Sequence, residues 1–387
     1  MALNALPLRL LARCLVVFAL CGPASADPLP TTNVPARNEP IDPRIARVIA
    51  GLRPDTETAG KPPVRWSLAE RMAHYNVPGV SIAVIDGGKI VWAKGFGVRE
   101  AGGAEPVNEQ TLFQAASISK PVAALGMMKL VAAGTLNLDA DVNSYLKSWT
   151  LPASEFTERK KVTLRQLLSH SAGLTVHGFA GYPLGSRLPT IPEILDGVPP
   201  AISAEVRSER VPGQGFKYSG GGTTVAQLVV SDVTGKDPAE FLSETVLVPL
   251  GMTFSTYEQP LPAKNAANAA VGHRGAPAKA LEGKWRVYPM VFAAGMWTTP
   301  TDLCKMQLAV ARAASGDTKG PLDPKIVKQM LTVTAAPVGI GFFLQGNGDT
   351  LRFSHGGAND GYLSQFEAYA QRGKGFAIMI NSDAGGA

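Results

Sequence analysis

The run Ser117-Ile118-Ser119-Lys120, followed by the helix-spaced stretch Pro121 to Ala133, decides how the rest of the chain is read. It predicts a helix that opens at Ser117, with Lys120 one turn on and on the same face, so that hydroxyl and amine can meet. A serine hydroxyl is a poor nucleophile without a base, and the amide groups at a helix start favour negative charge. The same serine also fits a plain N-cap, and Ser-x-x-Lys arises by chance about once in a chain of this size. A second copy, Ser144-Tyr145-Leu146-Lys147, sits in the polar stretch Asp139 to Ser148 with no long apolar helix behind it, and is read as a chance match.

Outward from this run the pattern changes. Val80-Ser81-Ile82-Ala83-Val84-Ile85 alternates, breaks at Asp86-Gly87-Gly88 and resumes at Lys89-Ile90-Val91-Trp92-Ala93, a hairpin signal. Residues 64 to 75 read as a helix. Between Ile118 and about Gly251 helical spacing dominates, most clearly at Leu164 to Leu168, Val225 to Val233 and Ala239 to Val248, the last with Asp237 as N-cap, Pro238 at N1 and Glu240 as capping-box partner. Strand patterns return at Gly341 to Leu344, Leu351 to Ser354, Tyr362 to Tyr369 and Phe376 to Ile380. Strands at both ends and helices between predict an α+β fold: one antiparallel sheet flanked by helices, a mainly helical inserted region, and a cleft at the seam.

Composition narrows the function. With 387 residues, 45% hydrophobic and 18% charged, the chain is a globular protein rather than a disordered or collagenous one. Arg9 and Arg13, the run Cys14 to Leu20 and the small residues Ala24-Ser25-Ala26 have the three regions of a secretory signal peptide, which predicts a secreted or periplasmic protein with no stable membrane span after cleavage. Without residues 1–26 there remain 35 Lys and Arg against 31 acids, a charge of +4, and no basic block or aromatic-interleaved stripe, so nucleic acid is not an expected partner. Cys304 is then alone and can form no intramolecular disulfide. The five His show no metal-ligand spacing, and no phosphate loop, dinucleotide fingerprint or Gly-x-Ser-x-Gly elbow occurs, so neither metal nor other cofactor is expected.

Two further stretches give Ser117 its context: Phe216-Lys217-Tyr218-Ser219-Gly220-Gly221-Gly222 and Phe353-Ser354-His355-Gly356-Gly357-Ala358-Asn359-Asp360. Ser-x-x-Lys, then Tyr-Ser in a Gly-rich turn, then His-Gly-Gly on a strand resembles the serine β-lactamase and penicillin-binding-protein superfamily, in particular the class C enzymes and the β-lactamase-like esterases. The stretches Val77 to Val84, Arg165 to Leu174, Pro249 to Met252 and Gly295 to Leu303 are similar too, so the resemblance runs from about residue 64 to the end. It implies a β-lactamase/transpeptidase-like fold and acyl transfer through an ester on Ser117, with Lys120 and Tyr218 handling the proton and the backbone N–H groups of Ser117 and Ala358 holding the oxyanion. Which of Lys120 and Tyr218 is the base stays open; an ammonium beside Tyr218 is expected to depress the phenol pKa. His355, Gly356, Gly357 and Ser219 are the expected substrate-binding residues, and the loop His177 to Pro183 is a candidate cleft wall.

Two departures bear on substrate. Where many relatives have Tyr-x-Asn this chain has Tyr218-Ser219-Gly220, and where they have Lys-Thr-Gly it has His355-Gly356-Gly357. The losses remove an amide, a fixed cation and a hydroxyl that would grip the carboxylate of a β-lactam or D-alanyl peptide. An ester needs none of these. The expectation is therefore an exported serine hydrolase acting on small esters or related amides, against two alternatives: a D-alanyl-D-alanine carboxypeptidase or β-lactamase, and an acylating sensor without turnover. The expected layout is a signal peptide at 1–26, an N-terminal extension at 27–63, and one domain at 64–387 whose sheet part comprises 64–115 and 286–387 and whose helical part comprises 116–285. Relatives usually continue beyond the strand at Phe376 to Ile380 into a helix, so one sheet face is expected to stay partly uncovered; oligomeric state is not legible.

Overall fold

The alternation at Val80 to Ile85 becomes β1 (Gly79–Asp86), which turns at Gly87 and Gly88 into β2 (Lys89–Gly97). Both turn glycines hold positive φ, +57° and +71°, which glycine adopts without a Cβ clash. Four strands follow near the other end of the chain: β3 (Phe343–Gln345), β4 (Arg352–Asn359), β5 (Tyr362–Tyr369) and β6 (Gly375–Ile380). They join the hairpin in a single antiparallel sheet of order β2-β1-β6-β5-β4-β3, with Val80 opposite Ile380 where the two sets of strands meet. The computed structural model describes residues 42–54, 56, 60 and 62–384, so the expected signal peptide and the first part of the extension lie outside the described residues.

Six helices pack around the sheet and the segments beside it. They are α1 (Leu68–His74), α2 (Ser119–Ala132), α3 (Leu164–Leu168), α4 (Gly220–Thr234), α5 (Pro238–Leu242) and α6 (Pro300–Ala314). Ser67 and Glu70 close a capping box on α1. The helix read at Ala239 to Val248 is shorter than expected: after α5 the chain widens into a π turn over Ser243–Leu247, and Asp237 caps the Ala239 and Glu240 amides without a return bond from Glu240. Every residue from Ser119 to Met128 of α2 is buried, which is why this helix shows no polar stripe.

Period-two burial gives the sheet two apolar faces. Ala83, Ile85, Ala377 and Met379 face the main core, where α6 packs across β1, β2, β5 and β6. Val80, Ile82 and Ile380 face the other way, toward Leu68 and a groove of about 420 Å³ lined by Trp66, Met72, Tyr75, Ile378 and Ile380. In the main core Phe342, Phe353 and Phe366 meet edge to face, with centroid distances of 5.3 Å between Phe342 and Phe353 and 6.4 Å between Phe353 and Phe366. Trp297 and Phe292, both fully buried, belong to this core. Among the described residues no helix is long and apolar enough to cross a membrane.

Phe366 is 0% exposed at the centre of β5. Phe366→Ala should lower unfolding free energy by about 3–5 kcal/mol, the usual cost of deleting a buried aromatic ring. Urea titration followed by tryptophan fluorescence measures this, and a loss below about 1 kcal/mol would show that the three-ring cluster is not a stability centre.

Candidate active site

Ser117 lies in a 3₁₀ turn, Ala116–Ile118, that runs straight into α2. The preceding Ala116 has φ +50°, an uncommon conformation for a residue with a Cβ. Its surroundings hold it there. The Ser119 hydroxyl donates to the Ala116 carbonyl at 2.6 Å and accepts the Met296 N–H at 3.0 Å, while the Tyr257 hydroxyl donates to the Ser119 carbonyl at 2.8 Å. The middle serine of the motif is therefore part of the frame, and Ser117 projects from it into the cleft.

Lys120 Nζ sits 2.9 Å from Ser117 Oγ and donates to the Ala293 carbonyl at 2.8 Å. Among the described residues no carboxylate is paired with it. Burial disfavours the charged form and pushes the Lys120 pKa down to about 7. Tyr218, at the end of the segment before α4, brings its hydroxyl into hydrogen-bond contact with Ser117, and its ring centroid lies 5.0 Å from Lys120 Nζ. Burial raises the Tyr218 pKa to about 12, and the bond to Ser117 only partly offsets this. The expected depression of the phenol pKa is thus reversed: in this pocket burial outweighs any charge on the neighbouring amine.

The second Ser-x-x-Lys is not assembled. The Ser144 hydroxyl donates to the Asp141 carbonyl at 2.6 Å, and Lys147 Nζ donates to the Asp232 carbonyl at 2.6 Å.

β4 forms the opposite wall. Asn359 Nδ2 donates to Gln114 Oε1 at 2.9 Å and to the Ala294 carbonyl at 3.1 Å, which pins this strand beside the Ser117 turn. Gly356 and Gly357 are extended rather than left-handed, so their need for glycine is one of space. A Cβ on Gly357 would stand 2.2 Å from the Ala115 carbonyl oxygen, whereas one on Gly356 would meet only the end of the Gln365 side chain, at 2.7 Å. Ala358 follows, solvent-exposed, at the rim shared with Ser117.

His355 is 3% exposed, with Nδ1–H donating to the Gly356 carbonyl at 2.6 Å. Burial, and then the charge of Lys120, push its pKa down to about 3, so it is a neutral ring. Ser219 departs from expectation. Its side chain turns away from the cleft to cap α4, accepting the Gly222 N–H at 2.8 Å and donating to the Thr175 carbonyl at 2.7 Å. Of the candidate loop, His177 and Gly178 reach the cleft, while Tyr182 is buried in a separate cluster.

The cleft has a volume of about 920 Å³. Its apolar side is made by Phe216, Phe343, Leu363, Ile378 and Ile380, and among the described residues no Arg, Lys, Asp or Glu lines it. Phe343, which the sequence patterns place only in a strand, stacks on Tyr218 at 6.5 Å and 12°, and the His170 ring lies 4.2 Å from that of Tyr218. Neither placement has a local sequence signal, because both contacts are made across the cleft.

Comparison with known proteins places this geometry. The family model described as Beta-lactamase matches residues 66–387. Esterase EstB of Burkholderia gladioli is 34% identical over 169 residues, 41% of this chain and 41% of that protein. Penicillin-binding protein 4* of Bacillus subtilis is 26% identical over 175 residues, 44% of this chain and 36% of that protein. The matched segment thus spans roughly two fifths or less of the length of these curated relatives. The octameric penicillin-binding protein homologue from Pyrococcus abyssi shares the fold at a TM-score of 0.66 and 24% identity, over 82% of this chain and 72% of that one. With its six-stranded sheet, its hydrogen-bonded Ser117–Lys120 pair and a family match that runs from Trp66 to Ala387, the chain belongs to the Beta-lactamase family.

Proposed function

We propose that the protein is an exported serine hydrolase that cleaves small, neutral carboxylic esters through an acyl-Ser117 intermediate. The observation that carries this reading is the buried, unpaired amine of Lys120 at 2.9 Å from the Ser117 hydroxyl, under a cleft whose lining bears no charged residue. With a pKa of about 7 a large fraction of Lys120 is neutral at physiological pH, and its lone pair takes the Ser117 proton as Oγ attacks the carbonyl carbon. The Ser117 and Ala358 N–H groups receive the oxyanion. Tyr218, protonated throughout the working range, donates its proton to the departing alkoxide and is reprotonated from the Lys120 ammonium. Water then attacks the acyl-enzyme, losing its proton along the same route, and Ser117 leaves as its hydroxyl.

The ester preference rests on His355. It stands where a carboxylate-binding lysine would be, yet it is neutral, so a carboxylate entering there would lose its hydration without gaining a counter-charge. The similarity to an esterase supports the same reading. The N-terminal signal pattern supports export.

Ser117→Ala should abolish p-nitrophenyl ester turnover and fluorophosphonate labelling, with Ser144→Ala close to the parent. The rate should climb as pH rises through about 7, because the neutral form of Lys120 is the active one and deprotonation creates it. Stopped-flow measurement from pH 5 to 9 tests the sign. An activity that falls over that interval contradicts a lysine base.

The double change His355→Lys with Gly356→Thr should raise kcat/KM for carboxylate-bearing substrates relative to neutral esters by about tenfold or more, since a charge-assisted hydrogen bond contributes roughly 1.5–3 kcal/mol. Gln365 must swing aside for the new Cβ, which a side-chain amide can do. A parent that hydrolyses a chromogenic cephalosporin or a D-alanyl-D-alanine peptide faster than esters reverses the substrate assignment. A stable acyl-enzyme by intact mass, with no turnover, replaces the hydrolase with a sensor.

A further inference from the structure

We propose that His170 is the positioning residue for Tyr218: it grips the backbone on both sides of the tyrosine and seats the phenol ring against its own imidazole. The inference rests on the reading above for what Tyr218 does, and on geometry alone for how Tyr218 is held.

Three contacts converge. The His170 carbonyl accepts the Lys217 N–H at 2.7 Å, its Nδ1 accepts the Ser219 N–H at 3.2 Å, and its ring lies 4.2 Å from that of Tyr218, tilted by 30°. The residues before and after Tyr218 are therefore tied to one side chain and its own peptide, with the tyrosine ring between them. Ser219 carries the hold onward, because its hydroxyl caps α4. His170 itself follows the end of α3 at φ +53°, in the left-handed region that His enters more often than most side chains.

The contacts also set the protonation state. A backbone N–H only donates, so Nδ1 must be bare and the ring proton must reside on Nε2. Burial keeps the ring neutral, and every titratable group facing it acts in the same direction: Lys120 from α2, His355 from β4 and His177 from the following loop, while Tyr218 itself stays an uncharged phenol. Protonated Nδ1 would break the bond to Ser219 and add a cation beside the base.

Two substitutions separate the parts of this device. His170→Asn retains an acceptor near the Nδ1 position and suits positive φ, but loses the ring. His170→Phe keeps a ring and leaves the Ser219 N–H without its acceptor. Each is made in the parent and in Tyr218→Phe, with the fluorophosphonate labelling rate of Ser117 and ester kcat and KM as readouts and thermal melting as a fold check. In the parent, His170→Phe should slow labelling and kcat on the order of 10²-fold with KM within about twofold, the cost of misplacing a reacting group by about 1 Å. His170→Asn should fall between it and the parent. In the Tyr218→Phe background both should cost less than about twofold, since the group they position is gone.

Equal losses in the two backgrounds, or losses that follow the fall in melting temperature, overturn the proposal. So does a crystal structure of His170→Phe in which the Tyr218 hydroxyl keeps its bond to Ser117, whatever the activity; if that variant does not fold, His170→Asn takes its place in every arm. A parent that is never labelled at Ser117 overturns the hydrolase reading instead, and the crystal structure then decides the positioning role by itself.

Discussion

A lysine amine buried without a carboxylate is the constraint on which the rest of this molecule depends. An isolated ammonium in an apolar interior is costly, and an amine that sheds its proton is far less so. The fold provides the interior by burying the first ten residues of α2, and it leaves the amine two partners, a hydroxyl and a peptide carbonyl. An added aspartate would stabilise the ammonium and leave little of the free amine near neutral pH. Keeping acids away from Lys120 is thus as much a part of the design as bringing Ser117 to it.

The site is assembled from pieces with no sequence proximity. The Ser117 turn is held by Met296 and Tyr257, Lys120 leans on Ala293, Tyr218 comes from the start of α4, and the facing wall is a strand near the end of the chain. Asn359 closes the circuit by bonding both Gln114, just before the nucleophile turn, and Ala294, next to the lysine's acceptor. A displacement of β4 would therefore be felt at both Ser117 and Lys120.

Much of this was legible in the residues. The alternation of Tyr362 to Tyr369 locates β5 to the residue, and the apolar run after Lys120 announces a buried helix. β4 extends beyond the alternating pattern of Leu351 to Ser354 because Gly356 and Gly357 have no side chains to alternate, while their role is to let a strand pass within contact of the Ala115 carbonyl. Ser219 was misassigned for a related reason. Adjacent residues on an extended backbone point to opposite sides, and Ser219, at φ −144° and ψ 112°, faces away from the cleft that Tyr218 enters. The raised pKa of Tyr218, the neutrality of His355 and the stacking of Phe343 depend on burial and on contacts across the cleft, which no local pattern encodes.

The uncharged lining of the cleft has a kinetic consequence. Long-range fields accelerate encounter when a binding site and its ligand carry opposite charges, and such acceleration fades as counter-ions screen it. A cleft walled by Phe216, Phe343, Leu363 and Ile378, with a neutral histidine at its back, offers a neutral guest no such steering. Capture then rests on apolar surface removed from water, which added sodium chloride scarcely weakens. A cleft built in this way would capture a neutral guest equally well in fresh and saline surroundings.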